Sequence, residues 1–153
     1  MIRNTTAITV SSFSCMFFLG VATAIIGAAA RNIGLTPYQI GLLLSIQNLG
    51  FVISVTVSGT LADTYEKPKI LFIGSVVFAL SFFTFYLSGL FLVNLLIMFF
   101  IGVGMGTYEG VTDPMLLDIQ KRRQSLYINV NLFFVTFGSL IITLYLVFML
   151  MNW

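Results

Sequence analysis

The chain alternates long apolar stretches with short polar breaks. The apolar stretches cover residues 6–30, 38–62, 70–89, 90–117 and 125–151. Each is close to the roughly 20 residues that an α-helix needs to cross the hydrocarbon core of a bilayer. Pro37 and Pro68 stand where the second and third helices would begin. The pattern therefore predicts an all-α integral membrane protein, with about five transmembrane helices in a single bundle.

The composition supports this class and argues against enzymes. Hydrophobic residues make up 59% of the chain and charged residues only 8%, whereas a soluble domain has roughly 25% charged residues. The chain has one cysteine, Cys15, and no histidine, so Cys/His zinc sites and the usual nucleophile–base pairs have no ligands or bases to use. We expect no cofactor, no metal, no enzymatic activity and, at a net charge of +2, no nucleic-acid partner.

The basic residues fall mainly on one side of the predicted membrane topology. Short cytoplasmic loops carry an excess of Lys and Arg. Arg31 alone lies on the opposite side. The predicted topology therefore has a cytoplasmic N-terminus, in a plasma or inner membrane. Six of the seven Lys and Arg residues support it: Arg3, Lys67, Lys69, Lys121, Arg122 and Arg123.

The fourth stretch places glycines and acids on one wall of its helix. At about 100° per residue, one arc holds Gly102, Gly106, Gly110, Glu109 and Asp113. Glycine allows a neighbouring helix to approach closely, and a carboxylate avoids lipid. This wall is therefore predicted to face protein or a water-filled cavity.

Two asparagines are further candidates for the lining of such a cavity. Asn48 shares a side of the second stretch with Gly41 and Ser45, and Asn129 lies in the fifth stretch. Together with Glu109 they form the candidate substrate and proton-coupling site, which also includes the acid at position 113. The competing interpretation of Glu109 is a buried carboxyl that is hydrogen-bonded between helices.

The second polar break carries a recognisable pattern. Gly59, Leu61, Ala62 and Asp63 are followed by basic residues, among them Lys67. This pattern resembles the signature of the major facilitator superfamily, at the same place between the second and third helices. Glu66 occupies the position of a glycine in that signature. The resemblance implies that Asp63 and Lys67 contribute to a cytoplasmic gate.

The end of the fourth stretch has a similar acidic-then-basic order. Asp118 is followed by Arg122 and Arg123, which resembles the end of the fourth helix in the same superfamily. The resemblance implies that these three residues are further elements of the cytoplasmic gate.

A finer resemblance involves residues 106–114. The sequence Gly-Thr-Tyr-Glu-Gly-Val-Thr-Asp-Pro is similar to the G-x-x-E-x-x-x-N-P element of the fucose:proton symporter family, with Asp113 in place of the asparagine. The spacing of Asn129, Phe133 and Gly138 is similar to the fifth helix of that family. The resemblance implies proton coupling and sugar binding by Glu109. The first helix differs, because residues 26–29 contain no carboxylate.

Five spans are fewer than this kind of transporter needs. Such transporters consist of two six-helix halves, with the substrate held between them. The chain is therefore expected to be part of an N-terminal half, whose partners are lipid, a C-terminal half or another copy of a membrane subunit, a solute such as a sugar, and protons. Two alternatives stay open: a small oligomeric membrane protein with an ion pathway or a structural role, and a truncated transporter without function.

Overall fold

The computed structural model describes residues 5–32, 34–85, 87 and 89–151, and within these the chain forms five α-helices and no strand. All five helices are long and apolar enough to cross a membrane, which confirms the predicted all-α membrane architecture. Arg3 and Trp153 lie outside the described residues. The helices are α1 (Thr5–Asn32), α2 (Pro37–Thr64), α3 (Lys67–Thr84), α4 (Phe91–Ile119) and α5 (Gln124–Met151).

The third helix ends earlier than the apolar pattern indicates. The predicted span continues to Gly89, but α3 ends at Thr84. The Thr84 hydroxyl donates to the carbonyl oxygen of Leu80 at 2.8 Å, and the N–H of Phe85 bonds to the Phe82 carbonyl oxygen in a tighter turn. Apolar residues continue beyond the helix, and hydrophobicity alone does not show where the backbone leaves helical geometry.

The prolines mark helix starts, as predicted. Pro37 occupies the first turn of α2, and Thr36 caps this helix by accepting a hydrogen bond from the N–H of Gln39 at 3.3 Å. The Gln39 side chain accepts in turn from the N–H of Thr36 at 3.0 Å, which completes a capping box. Pro68 lies in the first turn of α3. These local signals separate one apolar helix from the next.

The helices fall into two compact units. One unit contains α1, α5 and residues 116–123, and the other contains α2, α3 and residues 91–115 of α4. Each unit has its own close helix contacts, so each is described separately.

In the first unit α1 and α5 run in the same direction at close range. A Cβ at Gly20 would overlap the carbonyl oxygen of Val135, and a Cβ at Gly138 would overlap that of Phe17. The Ser139 hydroxyl also donates to the Gly20 carbonyl oxygen at 2.8 Å. Residue numbers rise together along both helices from the pair Phe13–Tyr127 to the pair Thr23–Ser139, so the two helices are parallel. Glycine is needed here because backbone meets backbone.

Aromatic rings continue the same register. The ring of Phe13 stacks on those of Tyr127 and Phe134, with centroids 6.4 Å and 5.0 Å apart. Phe17 contacts Phe137 at 6.2 Å. Offset ring pairs of this kind add to the packing energy of a helix pair beyond the area that they bury.

In the second unit α4 packs against both α2 and α3. Contacts with α2 join Gly102 to Gln47 near one end and Gly110 to Val55 farther along, so α2 and α4 are parallel. Contacts with α3 run in the opposite sense, since Gly74 meets Thr107 whereas Phe78 meets Gly104. The three helices therefore alternate in direction, as successive membrane spans must.

Candidate functional site

The glycine wall of α4 packs on the backbone of α2. A Cβ at Gly102 would overlap the carbonyl oxygen of Gln47, and a Cβ at Gly106 would overlap that of Phe51. One turn further, a Cβ at Gly110 would lie 2.8 Å from the carbonyl oxygen of Val55. The close helix approach predicted from the sequence is therefore present, and α2 is the helix that approaches.

Hydroxyl groups join the same two helices. Ser54 of α2 donates to the carbonyl oxygen of Val103 at 2.6 Å, and its Oγ lies 3.0 Å from the Thr107 hydroxyl. Thr107 in turn lies 2.9 Å from the Val103 carbonyl oxygen. Ser54 and Thr107 are both buried, so these hydrogen bonds form away from competing water.

A buried amide makes a second polar contact between α2 and α4. Nε2 of Gln47 donates to Sδ of Met105 at 3.1 Å. Both side chains are buried. A thioether is a weak acceptor, so this contact satisfies a strong donor with a weak partner.

The two candidate acids lie on the most buried part of α4. Glu109 and Asp113 are half-buried and one turn apart, while the residues between them, from Gly110 to Thr112, are buried. Among the residues that the structure describes, none forms a hydrogen bond with the Glu109 carboxylate. Because both carboxyl groups are only partly covered, each can exchange a proton with water that reaches this part of the helix.

Pro114 interrupts the hydrogen-bond ladder of α4 beside these acids. It lies inside the helix and has no N–H, so the carbonyl oxygen of Gly110 lacks its usual donor. A Cβ at Gly59 of α2 would lie 3.8 Å from that oxygen. The backbone of α2 therefore runs beside an additional acceptor, within one turn of both carboxyl groups.

Asn48 lies on the face of α2 that is turned away from α4. The side chain is exposed, as are Ser45 and Gly41 on the same side. These three share one side of α2, as the helical spacing predicts. The packed face, which carries Gln47 and Ser54, was not predicted. The packed face could have been recognised from its spacing, because mostly small or polar residues recur along it every three or four positions. The buried residues with this spacing are Leu43, Gln47, Gly50, Ser54, Ser58 and Ala62.

Asn129 is likewise exposed, on α5. Thr136 and Thr143, seven and fourteen residues further on, are exposed on the same side. Asn131 is instead fully buried. The burial of Asn131 was not predicted, because polarity alone does not distinguish two asparagines that are two residues, or about 200°, apart on a helix.

The charged residues at the helix ends are mostly accessible. Asp63 is exposed in the last turn of α2, Lys67 is half-buried at the start of α3, and Glu66 pairs with Lys69 at 3.2 Å. Exposed ion pairs of this kind contribute little to stability.

The remaining gate candidates belong to the unit that contains α1 and α5. Asp118, Arg122 and Arg123 are all exposed. Near them, Nε2 of Gln120 donates to Oγ1 of Thr9 at 3.2 Å, which ties this segment to α1. Contact between these residues and Asp63 or Lys67 stays a prediction.

Among the residues described, no group of three or more His, Cys, Asp or Glu side chains could hold a metal ion.

Comparison with protein families gives a match to the Major Facilitator Superfamily over residues 8–153. No curated protein matches the chain. The family match covers nearly all of the chain, and it agrees with five helices long enough to span a membrane. The chain is therefore an integral membrane protein that belongs to the major facilitator superfamily of solute transporters.

Proposed function

We propose that the chain is the N-terminal portion of a secondary transporter that couples the movement of a sugar to that of protons across the cell membrane. The observation that carries the proposal is the exposure of two amides, Asn48 and Asn129, on predicted membrane spans. An amide is costly in hydrocarbon. Faces that carry amides are therefore expected to line a polar path rather than lie against lipid.

Amide chemistry suits a sugar. An asparagine side chain offers two N–H donors and a carbonyl acceptor, and a sugar hydroxyl can both donate and accept. Hydrogen bonding of this kind gives a site its strongest discrimination, because an analogue that lacks the hydroxyl leaves buried polar groups unpaired. Asn48 and Asn129 would then orient the solute.

Proton coupling is assigned to Glu109, with Asp113 as its neighbour. Both are half-buried on α4, where no Lys or Arg lies between positions 70 and 120. Acids inside membrane spans are rare and mark proton or substrate pathways. The resemblance of residues 106–114 to the fucose:proton symporter element supports the same role.

Alternating access requires a second half. In this architecture the solute is held between two bundles near the bilayer midplane. The proposed partner is a C-terminal half or another copy of a membrane subunit. The N-terminus is proposed to be cytoplasmic, and Asp63, Lys67, Asp118, Arg122 and Arg123 are proposed to close the cytoplasmic side.

Sugar uptake into vesicles made from the membranes that contain the protein tests the solute site. Asn48→Leu and Asn129→Leu keep the approximate size of the side chain and remove its hydrogen bonds, so each should raise the half-saturating sugar concentration about tenfold. Thr56→Val is the matched control, because Thr56 is exposed on α2 and its hydroxyl bonds to its own helix at Val52. Unchanged half-saturation in both asparagine variants would contradict the proposed site.

A further inference from the structure

One carbonyl oxygen of α4 is the focus of two hydroxyl groups. The Val103 oxygen lies 2.6 Å from Oγ of Ser54 and 2.9 Å from Oγ1 of Thr107, and these two hydroxyl oxygens are 3.0 Å apart. The two hydroxyl groups have one proton each, so only two of these three short contacts can be hydrogen bonds at the same time. In the arrangement where Ser54 donates to Val103 the bond itself joins α2 to α4, and in the alternative Ser54 donates to Thr107. Either arrangement ties the helices together.

Thr107 also fixes α4 against α3. Its Cβ would lie 2.6 Å from a Cβ at Gly74, so its aliphatic side meets the glycine backbone of α3 directly. The hydroxyl of the same side chain faces α2. One residue therefore holds α4 against two neighbours through two different groups, which restricts rotation of α4 about its own axis.

Glu109 is two residues beyond Thr107. Two residues turn an α-helix by about 200°, so Glu109 lies roughly opposite the Thr107 contact with Gly74 of α3 and beside Gly102, on the edge of the face that packs on α2. Any rotation of α4 would change the surroundings of Glu109, which is half-buried.

A similar arrangement occurs in the other unit. Ser139 of α5 and Thr23 of α1 both donate to the carbonyl oxygen of Gly20 at 2.8 Å, and their hydroxyl oxygens are 3.4 Å apart. There Thr23 is exposed, and α1 carries no carboxylate. The arrangement in the unit of α2 is the buried version, and it is the one next to an acid.

We infer that the hydroxyl triangle of Ser54, Val103 and Thr107 is a positioning device, which sets the rotation of α4 and so the side on which Glu109 is presented. The inference rests on the proposed role of Glu109 in coupling. Ser54 and Thr107 are positioning residues that act through α4 and touch neither solute nor proton. Loss of the triangle lets α4 turn and brings the Glu109 side chain toward lipid.

Carbodiimide labelling measures this rotation without any need for transport. Dicyclohexylcarbodiimide is apolar and reacts with carboxylic acids that it reaches from the lipid, and peptide mapping separates Glu109 from the other acids. In the folded protein in liposomes, Ser54→Ala should raise the labelling rate of Glu109 about fivefold, the factor that corresponds to one neutral hydrogen bond. Thr107→Val, which keeps the packing on Gly74, should raise it less.

Ser58→Ala is the matched control. Ser58 lies one turn further on the same buried face of α2, and its hydroxyl bonds to Val55 of its own helix at 3.5 Å. In Ser58→Ala the labelling rate of Glu109 should equal that in the wild type. If Ser54→Ala does not fold, Thr107→Val carries the test, and labelling at the wild-type rate in the folded variants overturns the inference. Proton-driven uptake that survives Glu109→Gln would refute the proposed function but not this result.

Discussion

Gly102 of α4 lies so close to Gln47 of α2 that a single added carbon at the glycine would overlap the Gln47 carbonyl oxygen. The neighbouring N–H of Phe51 would be only 2.9 Å from the same added carbon. Since both neighbours are backbone atoms, a rotamer change cannot relieve the overlap. The two helices are therefore held at a separation that only glycine permits.

The first prediction follows from this contact. Gly102→Ala should lower the free energy of unfolding by about 1–3 kcal/mol, the usual cost of overpacking, although alanine is the better helix former. Gly41→Ala is the control, because nothing lies within 4 Å of a Cβ placed there. It should be neutral or slightly stabilising. Denaturant titration of both variants in detergent measures the difference, and equal effects would contradict the close packing of α2 and α4.

The second prediction concerns the bond between Gln47 and Met105, which are 3.1 Å apart at Nε2 and Sδ. Met105→Leu should cost about 1–3 kcal/mol of unfolding free energy, because it leaves a buried N–H donor without its acceptor. Gln47→Leu should cost less than about 1 kcal/mol, because an unused thioether loses little.

The double variant with leucine at both positions provides the check on this asymmetry. It should be more stable than Met105→Leu alone, since both polar partners are then gone. A double variant whose destabilisation is the sum of the single effects would show that the contact contributes nothing.

The third prediction is the membrane topology. In a Cys15→Ala background, Arg122→Cys should react with a membrane-impermeant maleimide from the cytoplasmic side, and Tyr38→Cys should react from the opposite side. Both positions are exposed, Tyr38 at 78%. The physical basis is the concentration of Lys and Arg on one side of the predicted spans. Labelling of Arg122→Cys from outside the cell would reverse the proposed orientation.

The fold could be predicted largely from composition, because lipid imposes a simple rule: a spanning segment is a long apolar helix. The five apolar stretches and the prolines at helix starts were therefore reliable guides. The end of α3 at Thr84 was not, since it depends on local hydrogen bonding. The close helix approach at Gly102 and its glycine neighbours could be predicted, because it depends only on the absence of a side chain.

The packed face of α2 was harder to predict. Ser54 and Gln47 are polar but buried, whereas Asn48, adjacent to Gln47, is exposed. In a soluble protein polarity indicates the outer face, but in a membrane the helix interface is itself rich in small and polar groups. Which polar side faces protein and which faces a cavity depends on the partner helix. A single sequence gives that partner only indirectly, through glycine spacing.

The coupling role of Glu109 is the central claim, and uptake driven by a pH gradient tests it most directly. In vesicles that contain the protein, Glu109→Gln should abolish sugar accumulation driven by an imposed proton gradient, yet preserve exchange of sugar at equal concentrations, because glutamine keeps the shape of glutamate and carries no exchangeable acid proton. Glu66→Gln, at an exposed position before α3, controls for loss of an acid elsewhere in the chain. Proton-driven accumulation at the wild-type level by Glu109→Gln would contradict the account.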